Sequence, residues 1–189
     1  MQEILAVASR VLFAALAIAF FSILTRAGRV VADTRVEDAF RRDAAALADR
    51  AVDHLGEAAA RIDRVRRRLD PPALLDEILP PVLEALDGLR AEADGLEPPP
   101  GLVPLRDRLA EELQRASRAT ETVRHGGVLL GYTSGRPREL EGETSVKRGY
   151  LNLMHAREAL QELAVDLRSG RVDARRWFTD RHADADTRQ

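Results

Sequence analysis

The 189-residue sequence predicts an all-α protein: an N-terminal transmembrane helix followed by an antiparallel helical bundle with a long helical hairpin. Three observations carry this expectation. Residues 4–24 form an apolar run with a single charge. Downstream, apolar residues recur at three- and four-residue spacing. Proline and glycine clusters interrupt that spacing in only a few places. The implied organisation is a membrane anchor helix over 1–31, a helical bundle over 34–178 and a disordered tail over 179–189.

Composition narrows the function. Cysteine is absent, so disulfides and cysteine-based zinc, iron–sulfur or thiol chemistry are excluded. There are 29 basic and 31 acidic residues, a net charge of −2, which argues against a protein that binds nucleic acid by neutralising phosphates. Lys147 is the only lysine, so arginine carries the remaining positive charge, a bias expected of GC-rich codons.

The apolar run ILAVASRVLFAALAIAFFSIL is long enough for a bilayer core of ~30 Å, which takes ~20 residues of helix. Its anchor residues are Val11, Leu12, Phe13, Leu16, Phe20, Phe21 and Leu24, joined by Ile18 and Ile23. At ~0.3–0.6 kcal/mol each, these side chains favour insertion by about 3–5 kcal/mol. Arg10 lies toward the start of the run, where its head can snorkel to the lipid headgroups. The rival is a cleaved secretory signal with a core at Val11–Leu24 and cleavage near Ala27 or Ala32. Glu3 before the run, and Arg26 and Arg29 after it, fit a signal poorly, and an uncleaved single-pass anchor is preferred. Arg26, Arg29, Arg35, Arg41 and Arg42 follow the span, so the positive-inside rule places the C-terminal domain in the cytoplasm, beneath the cell membrane.

Thr34-Arg35-Val36-Glu37 has the form of a capping box and predicts a helix from there to about Leu69. Ala48, Leu55, Ile62 and Leu69 occupy one heptad position, and Ala44, Ala51, Ala58 and Val65 another, a coiled-coil-like stripe. The competing reading is one helix of about 100 Å that runs from Ile4 through the capping box. Asp70-Pro71-Pro72 predicts a break with Asp70 as the next cap, and Pro80-Pro81 predicts two short helices, Pro72–Leu79 and Val82–Asp94.

Between Pro71 and Glu97 seven acids face one arginine. Asp76, Glu77, Glu84 and Asp87 are therefore candidates for a partner surface that docks a basic segment, either Arg64–Arg68 of the same chain or a second copy. Pro98-Pro99-Pro100-Gly101 is a stiff linker, and Pro104 opens the next helix. Gly127, Gly131 and Gly135 share a face at four-residue spacing, while Gly142 and Gly149 lead a heptad row continued by Ala156 and Leu163. These five glycines predict close packing between two long helices that turn near 134–137, the second ending at Gly170. Trp177 and Phe178 are expected to plug the end of the bundle or to anchor a partner.

Catalytic patterns are missing. His54/Glu57 and His155/Glu158 reverse the Glu-x-x-His order of carboxylate-bridged metal bundles, and the zincin, serine-hydrolase and P-loop motifs are absent. Lys147, Arg148, Tyr150, Asn152, His155, Arg157 and Glu158 are the densest polar–aromatic mixture. No cofactor or metal is expected. The expected function is a non-enzymatic, membrane-anchored scaffold or interaction protein with a protein partner or self-association, one subunit of a membrane-associated assembly. The alternative is a sensory or small-ligand-binding bundle coupled to its membrane helix.

Overall fold

A computed structural model describes the backbone of residues 2–131 and 136–170, and the side chains of Phe20, Phe21, 34–131 and 137–170. Among the described residues all regular structure is helical: α1 (Gln2–Arg66), α2 (Leu74–Asp94), a 3-10 turn (Pro100–Leu102), α3 (Val103–Gly131) and α4 (Arg136–Ser169). The chain divides into two compact units, Met1–Ala39 and Phe40–Gln189.

The first unit lies wholly within α1, whose backbone is helical from Gln2. The capping box is therefore not a helix start. Thr34 and Glu37 sit inside one continuous helix, because neither a glycine nor a proline stands there to stop it. Among the described residues, no helix is long and apolar enough to cross a membrane. Phe20 and Phe21 are exposed, at 65% and 69%. The side chains of Val11, Leu12, Phe13, Leu16 and Leu24 lie outside the described residues.

The second unit is a four-helix bundle of up-down-up-down topology. Contacts fix each neighbour as antiparallel. Arg50 of α1 pairs with Glu92 near the end of α2, and Leu75 at the start of α2 packs on Gly127 at the end of α3. Gly142 and Gly149 of α4 meet α3 at Leu130 and Val123. Asp49 of α1 pairs with Arg168 at the end of α4. The core is assembled from one apolar face per helix. On α1 it is mostly alanine, including the fully buried Ala44, Ala48 and Ala51, with Leu55 and Ile62. Leucines dominate the other three faces, among them Leu79 and Leu86, Leu109 and Leu113, and Leu153 and Leu160.

α1 ends at Arg66, short of Leu69. Arg68 takes φ 60°, the N–H of Leu69 reaches the Arg64 carbonyl at 2.9 Å, and that of Arg68 reaches Val65 at 2.9 Å. This is a Schellman closure with arginine where glycine is usual. It swings Leu69 out of the heptad stripe, leaving it 64% exposed.

Pro80-Pro81 does not split the connector. α2 runs through both prolines as one helix. Neither can donate a hydrogen bond, and an interior proline costs ~3 kcal/mol or more. Burial outweighs this loss. Leu75, Ile78 and Leu79 before the prolines and Leu86, Leu89 and Ala93 after them continue one buried face. Each fully buried leucine or isoleucine contributes ~1.5–3 kcal/mol. The prolines themselves are exposed, where water reaches the carbonyls they leave unbonded. Asp70 is not the cap of α2. The first amides of α2 instead close short turns onto the carbonyls of Pro71, Pro72 and Ala73.

The glycine contacts are displaced from the expected row. A Cβ at Gly149 would lie 2.6 Å from Val123 Cγ2, 2.8 Å from Val123 N and 2.9 Å from Ala119 O. One at Gly126 would lie 2.8 Å from Val146 N and 2.9 Å from Gly142 O. Backbone thus approaches backbone along α3 and α4. Gly127 faces Leu75 of α2. Gly131 is exposed with nothing within 4 Å of its Cβ position, so it takes no part in packing. A four-residue step advances ~40° around a helix of 3.6 residues per turn, which carries the row off the contact. Gly135 lies outside the described residues. Gly170, at φ 64°, ends α4 in the left-handed conformation that glycine adopts freely.

Two glycine-to-alanine changes should therefore diverge in thermal melts. Gly149→Ala inserts a methyl against backbone and should destabilise by ~1–3 kcal/mol or more. Gly131→Ala should be neutral or stabilise by up to ~1 kcal/mol through helix propensity, and Gly131→Leu should be tolerated as well.

Candidate functional site

The acids singled out on α2 stand where a partner can reach them. Asp76, Glu77, Glu84 and Asp87 are all exposed. Among the described residues none of the four forms an ion pair, and Arg64–Arg68 of the same chain does not serve them. Those arginines are engaged elsewhere. Arg64 donates to Asp70 through Nε and Nη2, at 2.7 and 2.8 Å. Arg66 and Arg67 both donate to Asp63, at 2.6 Å each. Arg68 pairs with Glu143 of α4, and Arg66 also lies over the Tyr150 ring, 5.1 Å from its centroid. Tyr150 is half-buried against the core, so the arginine covers its outer face. The end of α1 is thus tied to its own aspartates and to α4 rather than to the acids of α2.

Arg50–Glu92 is an ion pair between α1 and the acidic helix. Below it, between α1 and α2, lies an open groove of about 250 Å³. Ala58, Ile78 and Val82 form its apolar part, Pro81 borders it, and His54, Glu57, Arg61 and Glu77 ring it with polar groups. Ala58 and Pro81, both compact, are among the residues that line it. Glu57, Arg61 and Glu77 form no ion pair with one another.

The remaining candidates do not converge. His54, His125 and His155 are exposed and lie on three different helices, and His182 lies outside the described residues. Among the described residues no group of three His, Asp or Glu side chains is close enough to hold a metal ion. Lys147, Arg148, Asn152, His155 and Glu158 are exposed on α4. Arg157 turns inward: its Nε donates to the Val52 carbonyl at 3.4 Å, across Gly56, whose missing side chain leaves room for it. Trp177 and Phe178 lie outside the described residues.

Electrostatics concentrate at the α1 terminus. Hydrogen bonding from Arg66, against some desolvation, holds the Asp63 carboxyl below its ordinary range. Hydrogen bonding from Arg64 does the same for Asp70. Burial between α3 and α4 pushes the Arg108 guanidinium downward, with Asp166 opposing the shift.

No protein-family model, curated protein or solved structure matches this chain. The functional reading therefore rests on its own residues.

Because Asp63 and Asp70 are lowered, the folded state binds these protons less readily than the unfolded chain. Their contribution to stability is fully present above the unfolded carboxylate value of about 3.9 and is lost as pH falls through the lowered folded values. Thermal melts from about pH 6 to about pH 2 should show the loss, and Asp70→Asn should flatten the profile at its acid end.

Proposed function

We propose that the chain is a membrane-anchored, non-enzymatic helical scaffold that presents the outer surface of its bundle to a protein partner within a membrane-associated assembly. The observation that carries this reading is the dryness of the bundle. Among the described residues, Thr120 is the only polar residue buried outright, its hydroxyl satisfied within α3 by the Ala116 carbonyl at 2.9 Å, while the Arg108 guanidinium is partly buried at the α3–α4 seam, 3.9 Å from Asp166. A sensory bundle needs polar groups between its helices to read a ligand. Here, Arg108 aside, the polar groups of the described residues lie on the outside, and α2 offers four exposed acids that form no ion pair among the described residues. Rigid, apolar interiors with chemically distinctive exteriors suit recognition rather than turnover.

The anchor is the apolar run Ile4–Leu24, carried on the same helix that supplies one side of the bundle. Five arginines in the stretch 26–42 favour a cytoplasmic bundle and attraction to anionic lipid headgroups.

The test uses the full chain. It should remain with membranes after an alkaline carbonate wash and be released by mild detergent. Leu16→Arg with Phe20→Arg should move it to the wash, because each arginine near the centre of the span costs ~2.5–3.5 kcal/mol against a favourable total of about 3–5 kcal/mol. Recovery of the unsubstituted chain in the wash would refute the anchor. An intact mass lacking roughly the first 27–32 residues would replace it with a signal peptide.

A further inference from the structure

The outer side of α4 carries a second seam. Gly149, Leu153, Ala156 and Leu160 face the core and are buried. On the opposite side Leu140, Leu151 and Val165 are exposed, at 60%, 48% and 56%, although all three are apolar. At about 100° per residue they fall within about 40° of one another. Alternating steps of four and three from Leu140 give Thr144, Lys147, Leu151, Met154, Glu158, Gln161 and Val165. That is the a/d spacing of a coiled coil, sustained along about 39 Å of helix. All eight side chains are exposed except Met154, which is half-buried. We propose that this seam binds the same seam of a second copy, antiparallel, about a two-fold axis that passes between Asn152 and Leu153.

The seam is complementary to its own reverse. In an antiparallel pair each position meets the one equally far from the axis on the other copy. Leu140 then meets Val165, and Leu151 meets Met154. Lys147 meets Glu158, and Thr144 meets Gln161. Apolar residues face apolar ones, opposite charges meet, and a hydroxyl faces an amide. The Thr144 hydroxyl donates to the Leu140 carbonyl at 2.7 Å and keeps a lone pair to accept from the amide. Among the described residues Lys147 and Glu158 form no ion pair, whereas Glu143 and Asp166 beside the seam pair with Arg68 and Arg108. Other arrangements are disfavoured. A slip of one heptad sets Leu140 against Glu158 and Lys147 against Leu151, or Lys147 against Val165 and Met154 against Glu158. A parallel pair sets Lys147 against Lys147 and Glu158 against Glu158. Glu141 and Glu162 approach across the rim in the favoured arrangement, where water and salt screen them. The proposal names a partner for the outer surface of the bundle and rests on that part of the functional reading, not on the anchor.

The test uses the purified full chain in mild detergent, so its outcome is independent of membrane retention. Sedimentation velocity should show a dimer that dissociates on dilution. Lys147→Glu and Glu158→Lys should each weaken it by about tenfold to a hundredfold, because the two-fold axis applies each change twice. Mixing the two variants should restore a dimer, since every reversed charge then meets its opposite. Circular dichroism checks that each variant is folded. Lys147 is the only lysine, so a zero-length carbodiimide cross-link from it is readily mapped. Lys147 and Glu158 lie about 16 Å apart along one helix, so a link between them must join two copies. That link is expected in the unsubstituted chain, and it decides the matter if the variants do not fold. Its absence overturns the proposal. A monomer at every concentration also overturns it and leaves the seam to a helix of another protein. So does a dimer indifferent to both charge reversals, including one abolished by Leu16→Arg with Phe20→Arg, which belongs to the apolar run.

Discussion

Where Gly126 and Gly142 meet, and again where Gly149 meets Val123 and Ala119, two helices touch backbone to backbone. The rest of the bundle is arranged around that contact. Three glycines within helices would by propensity alone destabilise α3 and α4 by ~1 kcal/mol each relative to alanine. What offsets that cost is approach: dispersion attraction rises as backbones close, and Cα–H groups come within reach of carbonyl oxygens. With the hairpin drawn together at its glycine end, the leucines toward the other end, Leu109 and Leu113 against Leu160 and Leu163, remain to fill the core. The alanine-rich face of α1 completes the bundle, with Phe40, Leu47, Leu55, Ile62 and Val65 as its larger buried side chains.

Much of this arrangement was legible beforehand. The heptad row Gly142, Gly149, Ala156 and Leu163 predicted a buried seam and all four are buried, because a seven-residue repeat nearly matches two helical turns and stays on one side. The row Gly127, Gly131 and Gly135 fails for the converse reason. Four-residue steps drift around the helix, so Gly127 is buried and Gly131 is not. Gly126, which makes the tight contact, stood next to that row but outside it. Local rules also misread α2 and the end of α1. Proline chemistry predicts a break at Pro80-Pro81, yet the burial of a continuous face is worth more than the bonds lost. A left-handed terminus advertises itself by glycine, and Arg68 carries no such mark.

The candidate groove was legible only in fragments. Glu77 stood out as part of an acidic stretch, and His54 and Glu57 as a metal-binding pattern in the wrong order. Pro81 stood out only as a helix breaker, and Arg61 gave no signal. A groove is a property of two helices at a given register, and register between α1 and α2 follows from contacts such as Arg50–Glu92 that no local spacing encodes. The exposed acids, by contrast, were legible as a group because composition alone shows that α2 has too few basic residues to neutralise them.

The two prolines inside α2 bear on what holds that helix in shape. They divide the helix into a short first portion ending at Leu79 and a second of 13 residues from Val82 to Asp94. Isolated helices below ~12–15 residues are marginal in water, and this one must also nucleate across a gap in its own ladder. α3 and α4 carry no such interruption, for Pro104 and Pro137 fall in their first turns, where an amide has no partner to lose. The two prolines therefore make the helical shape of α2 depend on the leucine surface of its neighbours more than on its own hydrogen-bond ladder.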